Sequence, residues 1–347
     1  MSATEQHENA GNSLDLRKKS RYEASLRLSV APMIDWTDTH CRVFHRLLAP
    51  QAVVYTEMLH ANAVLHGDRA RLLAMDASQH PVVLQLGGSD PALLAQAARI
   101  GVEHGFDAIN LNCGCPSSRV QAGRFGACLM REPALVADCV VAMAAAVNVP
   151  VTVKCRLGVD DDNDYHRFAH FIDTVAAAGC RHVIVHARNA WLKGLSPKEN
   201  REIPPLRHDW AWRLKYERPQ LQVTLNGGID SVAAVQQHLQ HVDGVMLGRA
   251  AYHDPYLLHR LHAELHGTSV QPRAQLLRQM QPYVQRQLAA GVPLKAMSRH
   301  WLGLFHGQPG GRLFRQLLSE QCHWPGADWA LVEQALAVVE SSRRAAA

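Results

Sequence analysis

The chain has 347 residues, 47% of them hydrophobic and 19% charged, a balance suited to one large globular domain or to one with a smaller partner. Its 36 basic and 31 acidic side chains leave a net charge of +5, too mild to hold nucleic acid by charge alone, although a sum hides how charge is distributed. Residues 1–25 form a polar tail without the apolar stretch of a secretory signal, and the longest apolar run, Cys139–Val147, is nine residues, far short of a membrane span.

Eight cysteines without an export signal suit a reducing compartment, so a cytoplasmic protein free of membrane contact is expected. No Cys-x-x-Cys occurs, and His166 and His170 have helical spacing without a neighbouring acid, so no metal site is expected.

Beyond the tail, short β-branched runs alternate with segments of helical period. The predicted strands are Leu26–Ala31, Ala52–Thr56, Val82–Leu86, Ala108–Leu111, Val151–Lys154, His182–Val185, Gln222–Leu225 and Gly244–Leu247. Amphipathic helices fall between them, among others Pro91–His104, Pro133–Val147, Tyr165–Ala178 and Ser231–Gln240. This pattern predicts an α/β fold, a (β/α)₈ TIM barrel over residues 26–267. A doubly wound open sheet uses similar units but usually fewer strands.

The strand signal stops near His266-Gly267-Thr268, so a second domain is taken over 268–347, in which residues 271–347 read as about four helices, broken at Gly291-Val292-Pro293, Gln308-Pro309-Gly310-Gly311 and Pro325-Gly326. An appended all-helical bundle domain is expected there. Charge changes at the same boundary: residues 1–270 carry 27 basic and 27 acidic side chains, whereas 271–347 carry nine and four. Within 271–319 there are seven basic residues and no acidic one. A solvated helix face is the ordinary reading of such a run, and an anionic partner is the alternative.

Barrel enzymes place their chemistry where the strands run out at the C-terminal face. Here Pro32 and Met33 follow the first strand and Glu57 the second; Gln85 closes the third, and Asn110 and Asn112 end the fourth. Lys154 and Arg156 end the fifth, His186 and Arg188 the sixth, Asn226-Gly227-Gly228 follows the seventh and Gly248-Arg249 the eighth. Loops after the last two strands often bind phosphate through backbone N–H groups, which predicts a phosphorylated ligand at Gly227, Gly228, Gly248 and Arg249. Neither a Gly-x-Gly-x-x-Gly fingerprint nor a phosphate-binding Walker loop is present. With Gln85, Lys154 and His186 around the centre, flavin mononucleotide (FMN) fits, and a sugar phosphate is the alternative.

Cys115 lies on a Gly–Cys–Pro turn after the fourth strand. A thiol is mostly protonated near neutral pH and can act as a general acid; a nucleophilic role stays open, with no base identifiable nearby. The long, proline-stiffened loop Arg188–Trp210 carries Trp191, Lys193, Lys198, Arg201 and Arg207 at the expected mouth. In the helical region, Arg299-His300-Trp301 and the helically spaced Arg312 and Arg315 offer cations and a stacking ring suited to RNA, or else an ordinary surface with a core tryptophan.

Seven ordered motifs resemble the tRNA-dihydrouridine synthases. They are Ala31-Pro32-Met33, Gln85-Leu86-Gly87-Gly88, Asn112-Cys113-Gly114-Cys115-Pro116-Ser117, Val153-Lys154-Cys155-Arg156, Val185-His186-Ala187-Arg188, Asn226-Gly227-Gly228 and Gly248-Arg249. The run from Trp191 to Leu206 resembles the A-type subfamily, which acts on D-loop uridines 20 and 20a. The resemblance implies a barrel enzyme dependent on FMN and NADPH, with a C-terminal tRNA-binding domain and no obligate protein partner, that reduces the uridine C5=C6 bond. It implies FMN contacts at Pro32, Met33, Ile34, Gln85, Lys154, His186, Asn226, Gly227, Gly228, Gly248 and Arg249. It makes Cys115 the proton donor and Asn112, Lys198, Arg201, Arg312 and Arg315 the tRNA contacts. Two positions depart from the pattern: Cys113 stands where an apolar residue is expected, and Asn189 where a basic one is expected. The competing readings are a flavin barrel reductase for a free pyrimidine and a non-catalytic RNA-binding protein.

Overall fold

The structure, a computed structural model, describes residues 16–346. Eight parallel strands close into a barrel in chain order: β1 (Leu28–Val30), β2 (Val53–His60), β3 (Val82–Gly87), β4 (Ala108–Cys113), β5 (Val151–Cys155), β6 (His182–His186), β7 (Gln222–Asn226) and β8 (Gly244–Leu247), with β8 returning to β1. Helices cover the outside, and acidic or hydroxyl residues start several of them: the Asp90 carboxylate accepts the Ala92 and Leu93 N–H groups, and Asp164 caps Tyr165–Ala177 in the same way. The fold is the expected (β/α)₈ barrel. Its largest boundary difference is β2, which runs on to His60 because a bulge between Tyr55 and Met58 shifts the register and lets pairing with β3 resume at Met58.

Strand periodicity sorts the side chains into two layers. Val53, Tyr55, Val83, Ala108, Ile184 and Met246 fill the barrel interior. Their alternates, such as Leu84, Ile109, Leu111, Val153, Val183 and Leu225, face the helices in the outer core. At the N-terminal end the interior is closed from outside the barrel. Residues 16–23 form a helix, and Tyr22, 1% exposed, sits in the interior cluster with its hydroxyl 2.7 Å from His182 Nδ1. The polar-tail expectation therefore does not hold for residues 16–25, which Tyr22 anchors together with Lys18, donating to the Val102 carbonyl at 3.0 Å, and Arg21, paired with Asp107; residues 1–15 lie outside those described.

After Gly267, which ends a helix in the left-handed conformation, come five helices: Arg273–Arg278, Gln281–Ala289, Leu294–Ser298, Gly311–Gln321 and Trp329–Ala346. One more appears than expected because the first is interrupted at Gln279–Met280. Their apolar faces, including Leu276, Met297, Trp301, Phe314 and Leu336, join the outer barrel core in one continuous cluster, where Trp301 meets Phe44 edge-on.

The basic run of these helices is largely committed to the protein. Arg278 pairs with Glu333 and Glu340, Arg286 with Asp76, and Arg299 with Asp38, while Arg273 lies over the Tyr256 ring. His300 and Trp301 are buried at 1% and 0% exposure, so Arg299-His300-Trp301 is a packing element and not a base-stacking surface. Arg312 and Arg315 are exposed and form no ion pair among the described residues.

Candidate active site

The inward phase of the strands brings the expected residues to one mouth. Gln85, Asn110, Asn112, Lys154, His186 and Asn226 follow the interior parity of their strands, and hydrogen bonds link the first three. Thr152 Oγ1 accepts from Asn110 Nδ2 at 2.9 Å, and Asn110 Oδ1 accepts from Gln85 Nε2 at 2.8 Å. Gln85 Oε1 in turn accepts from Asn112 Nδ2 at 2.9 Å. This buried chain fixes which way each amide points, because reversing one would leave donors facing donors. Asn110, which the sequence shows only as a strand-end residue of the same parity as Asn112, is the central link of this chain.

Asn112 also shapes the turn that follows. Its Oδ1 accepts from the backbone N–H of Gly114 at 3.1 Å and of Cys115 at 3.0 Å. Cys113 points the other way, into the outer core at 0% exposure, where burial pushes its thiol well above the usual range. Of the two thiols flanking Gly114, only Cys115 is partly exposed. The Cys115 carbonyl accepts from Ala127 N–H, and Ser117 caps the next short helix.

Across the mouth, Lys154 Nζ donates to Asn226 Oδ1 at 3.1 Å, and Asn226 Nδ2 donates to the Met246 carbonyl. Burial, then the charge of Arg156, lowers Lys154 to about 8. The same desolvation, followed by Arg156, Lys154, Arg188 and Arg201, holds His186 far below the ordinary imidazole range, so it is neutral. Gly227 and Gly228 have φ of 114° and 70°. A Cβ at Gly227 would stand 2.8 Å from His186, and one at Gly228 2.5 Å from Leu206, so the turn requires glycine on both counts. His208 Nε2 lies 2.8 Å from the Gly227 carbonyl, a support the sequence did not disclose. At Gly248 a Cβ would meet only Ala31, at 3.9 Å, leaving open space above the strand end.

Pro32, Met33 and Ile34 form the β1 loop, tied by Met33 N–H to Thr37 Oγ1 at 2.9 Å, with Ile34 56% exposed at the rim. Asp35 has a φ of 63°, and its N–H donates to the Glu57 carboxylate, so the β2 bulge buttresses this loop. The Arg249 guanidinium does not lie free at the mouth: it pairs with Glu202 and donates to the Arg201 carbonyl.

The loop after β6 is organised by Asn200, which is fully buried. Its Oδ1 accepts from Trp191 N–H at 2.7 Å, and its Nδ2 donates to the Trp191 carbonyl at 2.9 Å. Lys198 and Arg201 stand exposed on either side of it. Asn189 is 7% exposed and donates to the Asp162 carbonyl at 2.8 Å, so this position faces inward and the absence of a basic residue there removes no surface contact. Arg312 and Arg315 belong to the helical region, on the helix Gly311–Gln321. Among the described residues, no group of three or more His, Cys, Asp or Glu side chains is arranged to hold a metal ion, and no helix is long and apolar enough to cross a membrane.

Fold and site together define a TIM-barrel protein whose polar, cationic constellation lies at the face where such barrels do chemistry. The family model for dihydrouridine synthase matches residues 29–339. The tRNA-dihydrouridine(20/20a) synthase of Xanthomonas axonopodis pv. citri is 74% identical over 316 residues, covering 91% of this chain and 95% of that protein. The protein of the same name from Vibrio cholerae is 54% identical over 318 residues, covering 91% and 97%. A 2-naphthoyl-CoA reductase structure shares the fold at a TM-score of 0.52 and 9% identity, covering 70% of this chain and 50% of its own. The chain belongs to the dihydrouridine synthase family.

Proposed function

We propose that this protein is an FMN- and NADPH-dependent tRNA-dihydrouridine synthase that reduces the C5=C6 bond of uridines 20 and 20a in the D-loop. What carries this reading is the site itself, in a chain 74% identical to a protein of that name. A partly exposed thiol, a glycine cradle and the cations Lys154, Arg156, Arg188 and Arg201 meet at one barrel mouth.

The residues present fit FMN. The Gly227–Gly228 cradle excludes side chains, and Lys154 has no carboxylate partner among the described residues, so an anionic group there completes the charge balance. Pro32, Met33, Ile34, Gln85, Lys154 and His186 would hold the ring system. Asn226, Gly227, Gly228, Gly248 and Arg249 would hold the ribityl phosphate, Arg249 through its backbone N–H because its side chain serves Glu202. When bound and reduced by NADPH, FMN supplies the hydride for C6 of uracil.

Cys115 then gives its proton to C5, with its backbone held by Asn112. One amide hydrogen of Asn112 is not used by Gln85 and is available to the uracil edge. Lys198, Arg201, Arg312 and Arg315 take the tRNA backbone, offsetting the few kcal/mol needed to unstack the target base. Residues 26–267 are thus the catalytic barrel and 268–347 the tRNA-binding domain, with no obligate protein partner. All eight cysteines are unpaired, in keeping with a cytoplasmic setting.

The direct test is dihydrouridine formation, read by mass spectrometry of nuclease fragments after incubation of unmodified tRNA with protein, FMN and NADPH. Modification at positions 20 and 20a is expected. Turnover of free uridine or orotate in place of tRNA supports the free-pyrimidine reductase, and tRNA binding without flavin or turnover supports the non-catalytic reading.

A further inference from the structure

Arg156 directly follows β5 and is 3% exposed, with no carboxylate partner among the described residues. A buried guanidinium without a counter-ion is costly unless its donors are used and a ligand brings negative charge. Nε and Nη1 are used on carbonyls of two separate loops. Nε donates to Gly114 at 3.2 Å, and Nη1 donates to Asn189 at 3.2 Å and to Asn200 at 2.9 Å. Gly114 adjoins Cys115, and the space where its Cβ would lie is 3.6 Å from Arg156 Cγ, so the side chain lies directly against the turn. Asn200 is the hub of the loop that presents Lys198 and Arg201. A second tie runs the same way, since Gln121 Nε2 donates to the carbonyls of both Pro116 and Leu192 at 2.8 Å.

We propose that Arg156 is a positioning residue for the reduction, joining the tRNA-facing loop around Asn200 to the Cys115 turn so that docking of tRNA on Lys198 and Arg201 sets the thiol for proton delivery. The proposal rests on the dihydrouridine synthase reading. Proton transfer breaks the Cys115 S–H bond and forms a C–H bond at uracil C5, leaving a thiolate, while the hydride that reduces C6 comes from the NADPH-reduced flavin. Arg156 puts a fixed cation beside the turn where that negative charge is left. Lysine keeps the charge but cannot reach three divergent carbonyls at once.

The test uses the full-length flavoprotein and the variants Arg156→Lys and Arg156→Gln. Flavin content and the rate of flavin bleaching by NADPH are measured first, then the reoxidation of the reduced flavin by unmodified tRNA over a range of tRNA concentrations. Both variants are expected to retain flavin and to bleach within about twofold of the wild type. Their limiting tRNA-dependent rate should fall at least about tenfold, while the half-saturating tRNA concentration moves by less than about threefold. Reoxidation by oxygen should be unchanged, which general damage to the barrel would not spare. A limiting rate within threefold of the wild type in Arg156→Lys, or loss of flavin from both variants, overturns the proposal. Failure of tRNA to reoxidise the wild-type flavin refutes the underlying functional reading instead.

Discussion

Asn112 Oδ1 accepts the backbone N–H of Cys115 at 3.0 Å while Asn112 Nδ2 donates to Gln85, so the last polar residue of β4 aims the turn that carries the thiol. The thiol's place is thus set by an amide chain that begins at Thr152 inside the barrel. Replacing Asn112 by Ala removes the hub and leaves Gln85 short of a partner. We expect Asn112→Ala to keep its flavin yet lose about tenfold to a hundredfold in tRNA-dependent flavin reoxidation, from about 1.4–2.7 kcal/mol of lost positioning. Stopped-flow reoxidation against tRNA checks this, and a wild-type rate contradicts it.

Lys154 gives the site a pH dependence. Its pKa, lowered by burial to about 8, means that the cation fades as pH rises through that value. An anionic ligand should therefore bind the flavin-free protein progressively less well above about pH 8. FMN affinity, followed by flavin fluorescence quenching, is expected to weaken severalfold between about pH 7 and pH 9.5 in the wild type. Lys154→Met should bind weakly at both ends with a flatter profile; an equally steep profile in that variant assigns the titration to another group.

The helical region contributes fewer free cations than its composition suggested. Arg278, Arg286 and Arg299 are spent on internal pairs, whereas Arg312 and Arg315, like Lys295, are exposed without an ion pair among the described residues, and the two arginines share one helix face. Each removed phosphate contact should lower the slope of log affinity against log salt by about one. Arg312→Ala with Arg315→Ala is thus expected to weaken tRNA binding and cut that slope by about two, with NADPH bleaching unaffected. An unchanged slope removes both residues from the interface.

The two regions were not equally legible in the sequence. Inside the barrel, period-2 alternation places Gln85, Asn112, Lys154, His186 and Asn226 on the inward face, and strand length places them at the mouth, so local pattern was enough. Arg156 stands in the strand-end set, but its role, like those of Asn200 and His208, depends on which carbonyls the fold brings within reach, and no local spacing encodes that. The basic run misled for the same reason: Glu333 and Glu340 lie more than 50 residues from Arg278, so the run looked unpaired in one dimension. Tyr22 gives no signal in the sequence, because a single ring in a polar stretch carries no periodicity.

Buried histidines set the acid limit of stability. Burial holds His182, His238 and His262 at about 4, against an ordinary 6.5. Between those values the unfolded chain binds protons that the folded one does not, so stability is full above 6.5 and falls as pH drops toward 4. The urea unfolding midpoint is expected to decline from about pH 7 to pH 5. A flat midpoint over that interval contradicts the assignment of these groups as neutral.

The most direct measurement of the central claim is the visible spectrum of the purified protein through one cycle. Bound flavin should bleach on anaerobic addition of NADPH and recover its colour on addition of unmodified tRNA, with dihydrouridine appearing in equal amount. Cys115→Ala should bleach normally and recover at least about a hundredfold more slowly. A protein that binds no flavin, or a Cys115→Ala variant that recovers at the wild-type rate, would contradict the account.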